Sequence, residues 1–272
     1  MTLVSTDWLS DNLNEVKIID ASWHLIKNRN AIEEYNKGHI ENAIFFDLDK
    51  NSNQKKNLSH GHFLPSMNSH EKSISKMGIL NTDRIVIYCY SDLISSCRAW
   101  FQFLYFGHDP QLVSVVNGGM KKWKLEGRKV TNSKTQIIPS NYKAKQKNNM
   151  IKVKSQIIEN IKKKTFTILD ARSKNRFLGL EPEPRHGIKS GSIKGSKSLP
   201  LKELINIKDN TFLDKKKLKY LFNFKGISNN KIVMSCGSSV SASSLALAYS
   251  LINDDYMAKI YIGSWTEYGK NK

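Results

Sequence analysis

Ile85-Val86-Ile87-Tyr88-Cys89 and Ile232-Val233-Met234-Ser235-Cys236 are two copies of one phrase: a short apolar, β-branched run that ends at a cysteine. The match extends outward in both directions. Upstream lie Val16-Lys-Ile-Ile-Asp20-Ala21 and Phe166-Thr-Ile-Leu-Asp170-Ala171, then the steps Gly38-His39-Ile40 and Gly191-Ser192-Ile193. Downstream, residues 95–106 and 240–252 are apolar with helical spacing. Val115-Val116-Asn-Gly118-Gly119 with Trp123, and Tyr261-Ile262-Gly263-Ser264-Trp265, close each copy. Matching landmarks are offset by about 150 residues, so the repeating unit is a domain rather than one turn of a solenoid. Short buried strands alternating with helices predict an α/β chain of two tandem domains, each a mainly parallel sheet flanked by helices. The expected boundaries are 1–130 and 150–272, with the polar, Lys- and Asn-rich residues 131–149 as linker.

Composition narrows the function classes. With 39% hydrophobic and 25% charged residues, the 272-residue chain is ordinary for a globular protein. No apolar run is long enough to span a bilayer, and no basic-then-apolar leader opens the sequence, so a cytoplasmic location without membrane association is expected. The formal charge is +19, from 43 Lys+Arg against 24 Asp+Glu. Lysines occur throughout, as at 162–164 and 215–217, and no nucleic-acid motif accompanies them. The charge reads as a solvated surface that attracts anionic substrates, with no nucleic-acid partner. Three cysteines, Cys89, Cys97 and Cys236, with no C-x-x-C pair, argue against a disulfide framework or a zinc site. His60, His62 and His70 lack the acidic or cysteine neighbours of a metal site. No metal or cofactor is expected.

The chemistry concentrates after the second cysteine. In Ser235-Cys236-Gly237-Ser238-Ser239-Val240-Ser241 a buried strand ends and a helix begins near Val240, which places Cys236 where open α/β sheets put their ligands. A short Gly/Ser loop can turn its amides inward, and with the helix N-terminus it forms an anion cradle that favours thiolate over thiol. A buried structural cysteine beside a tight turn is the other reading of the same residues. Arg176 and Arg185 lie on a segment near that loop, and their forks suit a small carboxylic acid. Arg172 is expected to make ordinary surface ion pairs. Phosphatases carry an arginine six residues after a similar cysteine. Here that position is Ala242, which argues against phosphoryl chemistry.

Together these residues resemble the tandem-rhodanese sulfurtransferases, and within them the 3-mercaptopyruvate sulfurtransferases. The resemblance rests on Gly38-His-Ile40, Phe45-Phe-Asp47-Leu-Asp49, His62-Phe-Leu-Pro65, Asn117-Gly-Gly119 and Trp123 in the first copy. In the second it rests on Asp170-Ala-Arg172, Arg176-Phe177, Glu183-Pro-Arg185, Gly191-Ser-Ile193, Cys236-Gly-Ser238 and Gly263-Ser-Trp265. It implies a degenerate, non-catalytic first domain and a catalytic second one whose Cys236 carries sulfur as a persulfide. It further implies that Arg176 and Arg185 hold the donor carboxylate and that Ser238 hydrogen-bonds near the thiolate. Gly237, Ser239, Val240 and Ser241 would then line the substrate, and His62 and Asp49 would serve proton transfer. The acceptor would be a thiol, on a reduced thioredoxin-like protein or a small molecule, or cyanide. An uncharged loop after the cysteine favours 3-mercaptopyruvate as the anionic donor; thiosulfate, or a non-catalytic sulfur-carrier module, are the alternatives.

Three residues depart from the family pattern. Ser239 stands where Gly is usual, which strains the backbone if that position needs a positive φ. Ser241 replaces a usual Thr and keeps its hydroxyl. Cys89 stands where Asp is usual. Neighbouring Asp92 and the absence of a loop glycine are expected to leave Cys89 unreactive.

Overall fold

β-Branched runs too short for helices become strands, and because they are apolar on both sides they pair in parallel under helical cover. The computed structural model describes residues 1–25, 28–53, 61–227 and 231–270. It divides into two compact units: residues 1–52, 64–147 and 206–212, and residues 53–63, 148–205 and 213–272.

In the first unit, strands β1 (Leu3–Val4), β2 (Lys17–Asp20), β3 (Ala43–Phe45), β4 (Ile85–Tyr88) and β5 (Val113–Val116) run in the order β1-β5-β4-β2-β3. Every ladder is parallel. Helices α1 (Thr6–Asp11), α2 (Ala31–Lys37), α3 (Met67–Lys76), α4 (Ser96–Tyr105) and α5 (Gly119–Leu125) connect them. Serines start two of these helices, Ser5 accepting from the Trp8 amide and Ser66 from the Ser69 amide. Leu9 of α1 and Met120 and Trp123 of α5 pack with Ile18, Val86 and Val116 on one sheet face. Helix α4, buried along its whole length, packs on β4 and β5.

The second unit repeats this plan. Its strands are β6 (Ile151–Lys152), β7 (Thr167–Asp170), β8 (Lys197–Ser198), β9 (Ile232–Ser235) and β10 (Ile260–Tyr261), in the parallel order β6-β10-β9-β7-β8. Its helices are α6 (Lys154–Lys163), α7 (Lys174–Leu178), α8 (Lys215–Phe224), α9 (Val240–Ser250) and α10 (Ser264–Tyr268). Helix α9 is enclosed on all sides, residues 240–249 being buried, its serines included. The two strand orders correspond one for one, so β4 and β9 are the central strands and Cys89 and Cys236 directly follow them.

The copies diverge at the strand beside that centre. Asp170 at the end of β7 is paired with the buried guanidinium of Arg172. Its counterpart Asp20 has Ser22 in place of the arginine, and accepts from the Ser22 amide (2.9 Å) and hydroxyl (2.5 Å). Burial pushes the Asp20 carboxyl up to about 6, only partly offset by hydrogen bonds from Ser22 and Tyr88 and by nearby His39.

Because the folded value of Asp20 lies above the unfolded one, its contribution is fully present below about pH 4 and is lost as pH rises through about 6. Asp20→Asn should therefore raise unfolding free energy at neutral pH by up to about 3 kcal/mol and flatten its slope between about pH 4 and 6. Urea denaturation across that range measures both; an unchanged slope contradicts the assignment. Gly119 has φ +52, and a methyl group there would sit 2.4 Å from the carbonyl oxygen of Cys89. Gly119→Ala should cost about 2 kcal/mol or more in the same measurement.

Candidate functional site

Four strand residues run the chain up to Ser235, in register with Asp170, and the Ala171 amide closes the ladder on the Ser235 carbonyl at 2.9 Å. Beyond it the chain must turn into α9, and the neighbouring α10 sets how. The Cys236 carbonyl accepts from the Trp265 amide and the Gly237 carbonyl from the Thr266 amide, each at 2.9 Å. These amides are among the orphan donors of the first turn of α10, so both needs are met together. The Ser264 hydroxyl accepts from the amides of Cys236 (3.3 Å) and Ser239 (3.1 Å) and donates to the Tyr261 carbonyl (2.9 Å). Among the described residues no oxygen accepts from the amides of Gly237, Ser238, Val240 or Ser241, the last two at the N-terminus of α9. These four remain as donors for an anion at Cys236.

The loop closes through Ser239 at φ 66, ψ 0, in the left-handed region. A non-glycine residue there carries about 1 kcal/mol of strain or more. The Ser239 hydroxyl donates to the His62 carbonyl at 3.3 Å, and its carbonyl accepts from Ser243 Oγ at 2.9 Å.

Polar side chains converge on the same loop. A methyl group on Gly237 would sit 3.2 Å from Nη2 of Arg176 and 3.3 Å from Nη1 of Arg185, so both guanidinium groups lie over a residue with no side chain to displace them. Arg185 Nη2 donates to Ser238 Oγ at 3.0 Å, and Ser238 Oγ is 2.9 Å from His62 Nδ1. A guanidinium, a hydroxyl and an imidazole thus form one chain beside Cys236. Arg176 is held by Glu183, with Nη2 at 2.5 Å from Oε2 and Nε at 3.2 Å from Oε1. Glu183 is shared with Arg172, whose Nη1 lies 2.7 Å from Oε1 and whose Nη2 lies 2.7 Å from Asp170. Arg172 also donates to the Gly191 carbonyl and stacks over the Trp265 ring at 4.6 Å.

The residues expected from the sequence fall into three groups. Cys236, Gly237, Ser238, Arg176, Arg185 and His62 lie together in the second unit, with Val240 and Ser241 opening α9. Ser239 shares the loop, but its amide is taken by Ser264 and its side chain turns to the His62 backbone. Asp49 belongs to the first unit, where its carboxylate accepts from the Trp23 indole at 3.1 and 3.2 Å. The expectation for Arg172 is overturned. It is 2% exposed and makes buried ion pairs, because two carboxylates and an indole face enclose it. His60 lies outside the described residues; His70, on α3, stacks on Phe106 at 4.0 Å.

The sequence reading does not single out Ser264, Glu183 or Asp170 as parts of this site. For Ser264 a signal existed, because the aligned repeats set Gly118-Gly119 against Gly263-Ser264. For Asp170 a signal also existed, because Asp170-Ala-Arg172 sets a carboxylate two residues from an arginine; for Glu183 none did, since pairing across a loop leaves no spacing rule. Cys89 occupies the matching place in the first unit, 3.3 Å from Ser96 Oγ. Burial pushes its thiol up, outweighing hydrogen bonds from Ser96, Ser91 and Ser95. Burial is the largest influence opposing its ionisation. Its loop turns with Ile94 at φ 48 instead of a glycine.

Comparison with known proteins gives concordant matches. The rhodanese-like domain model matches residues 5–126 and again 153–271. The chain is 37% identical to thiosulfate/3-mercaptopyruvate sulfurtransferase 2 of Arabidopsis thaliana, over 98% of this chain and 83% of that protein. It is 33% identical to the 3-mercaptopyruvate sulfurtransferase of Homo sapiens, over 98% and 91% respectively. Among solved structures, SseA from Escherichia coli, described as a 3-mercaptopyruvate sulfotransferase, superposes with a TM-score of 0.86 at 27% identity, covering 97% of this chain and 99% of that one. No helix among the described residues is long and apolar enough to cross a membrane.

The buried carboxylate of Glu183 should matter for stability as well as position. Glu183→Gln leaves two guanidinium groups facing a neutral amide and should lower unfolding free energy by about 3 kcal/mol in urea denaturation. A loss under about 1 kcal/mol would mean that Arg172 is satisfied by Asp170 alone.

Proposed function

This chain belongs to the rhodanese-like family, and we propose that it is a sulfurtransferase that moves sulfur from 3-mercaptopyruvate to a thiol through a persulfide on Cys236. The observation that carries this reading is the loop after β9. Its carbonyls at 236 and 237 are tied back to α10, four of its amides are left without an oxygen acceptor among the described residues, and two guanidinium groups lie over Gly237.

In the first half-reaction the donor carboxylate is held by Arg176 and Arg185, both oriented by hydrogen bonds already in place. The Cys236 thiolate attacks the donor sulfur. The carbon–sulfur bond breaks, its electron pair leaves on carbon as the enolate of pyruvate, and the enolate takes up a proton. Ser238 and His62 supply the relay for the proton that leaves the donor thiol. The amides of Gly237, Ser238, Val240 and Ser241 hold the negative sulfur through the transfer without having to reorient. In the second half-reaction an acceptor thiolate attacks the outer sulfur of the persulfide and Cys236 departs as thiolate. The acceptor is a small thiol or a reduced thioredoxin-like protein, with cyanide as a surrogate. The buried cysteines at 89, 97 and 236 are not joined in disulfides among the described residues, which suits a reducing compartment, and we place the protein in the cytoplasm. The first domain, residues 1–130, is the non-catalytic copy, since burial disfavours the Cys89 thiolate.

Thiosulfate is the second reading, because two guanidinium groups at Gly237 also suit a dianion. Turnover of each donor by the purified protein separates the two, and 3-mercaptopyruvate should give the higher kcat/KM. Absence of turnover with either would favour a carrier or binding role. Cys236→Ser should lower turnover by about a thousandfold or more, and donor-treated wild type should carry one added sulfur on the Cys236 peptide by mass spectrometry. Full activity in that variant would refute the assignment.

A further inference from the structure

Two residues around the cysteine loop hold left-handed backbone conformations without being glycine: Ser239 at φ 66 and Ser264 at φ 50, both fully buried. The repeat supplies an internal control. The position matching Ser264 in the first copy is Gly119, at φ 52. The backbone conformation is the same, yet the copy with the reactive loop carries the residue that is less suited to it. What serine adds is a hydroxyl, and that hydroxyl takes the amides of Cys236 and Ser239. Ser239 adds a second one, which donates to the carbonyl of His62, the residue whose ring meets Ser238. A strained conformation kept at a site by its surroundings is a pointer to function.

We propose that Ser239 and Ser264 are a pair of positioning residues that clamp the Cys236 loop. Ser264 selects which amides face the sulfur, and Ser239 ties the His62 segment to the loop. The inference rests on Cys236 as the nucleophile. Ser264 ties down the amides at both ends of the turn, 236 and 239, so the amides of Gly237, Ser238, Val240 and Ser241 are the ones left for the sulfur. Ser239 is joined to Ser264 through its amide and to His62 through its hydroxyl, so the imidazole is registered against the same loop as the thiolate. Neither serine is accessible to water that might replace it.

Glycine substitution separates this role from a packing role, because glycine relieves the backbone strain while removing the hydroxyl. Ser264→Gly should keep a urea midpoint at or above wild type. Carbamidomethylation of Cys236 at neutral pH, read on its own peptide so that Cys89 and Cys97 do not contribute, should nevertheless slow about tenfold, with a similar fall in kcat. Ser264→Ala, which loses the hydroxyl but keeps the strained backbone, should show the same kinetic loss at a lower midpoint. Ser239→Gly should leave Cys236 alkylation within about twofold of wild type and lower kcat about tenfold. In a His62→Ala background it should lower kcat no further. Wild-type alkylation in Ser264→Gly overturns the role of Ser264, and additive losses for Ser239→Gly and His62→Ala overturn that of Ser239. Retained turnover in Cys236→Ser is a different result, since it would remove the nucleophile rather than the clamp.

Discussion

The orientation of two peptide planes, those that carry the carbonyls of Cys236 and Gly237, is the constraint from which the rest of the site follows. Amides of Trp265 and Thr266 hold those carbonyls toward α10, so the amides that follow them in the chain are committed to the opposite side. An anion cradle is a by-product of satisfying a helix start. It needs no cationic side chain in the loop itself, which is why Gly237 and Ser238 can remain small and uncharged. It also makes α10, only five residues long, more consequential than its length suggests, since its first turn is hydrogen-bonded to the cysteine loop rather than to solvent.

Comparison of the two copies shows where one scaffold surrounds its cysteine differently. Strand order, helix placement and the cysteine after the central strand are common to both. The differences are local. Arg172 pairs with Asp170 where Ser22 offers Asp20 hydrogen bonds but no guanidinium, and burial makes Asp20 hold its proton more tightly. Ser264 supports a tight loop where Gly119 packs directly under the Cys89 carbonyl. Cys89 keeps hydrogen-bonding partners, yet burial outweighs them. A fold can therefore carry two cysteines in equivalent places and give them unlike surroundings.

Much of this was legible in the sequence, for physical reasons. Strand phrases such as Ile85–Tyr88 and Ile232–Ser235 are short, apolar and β-branched, and their repetition in the same order leaves few topologies open. Cys236 is legible from the strand, Gly/Ser turn and helix around it and Arg176 and Arg185 from their place near that turn, whereas the role of Ser238 comes only with the family resemblance. The hidden part is what depends on three-dimensional closure. The burial of Arg172 requires two carboxylates and an indole face that come from separate segments. Only a positive φ at Ser239 reveals that its hydroxyl turns toward His62, although the unusual serine itself was visible. Sequence reports which groups are present, while closure decides which of them are spent on each other.

The three arginines around the loop divide in the same way. Arg172 is enclosed by Asp170, Glu183 and the Trp265 ring and has nothing left to offer a ligand. Arg176 shares Glu183 with it, so the carboxylate that helps to bury Arg172 also orients its neighbour. Arg185 donates to the hydroxyl of Ser238, which in turn meets His62. Arg176 and Arg185 both reach over Gly237, where the side chain of any other residue would meet them, so the smallest residue of the loop is the one that lets two planar cations approach it.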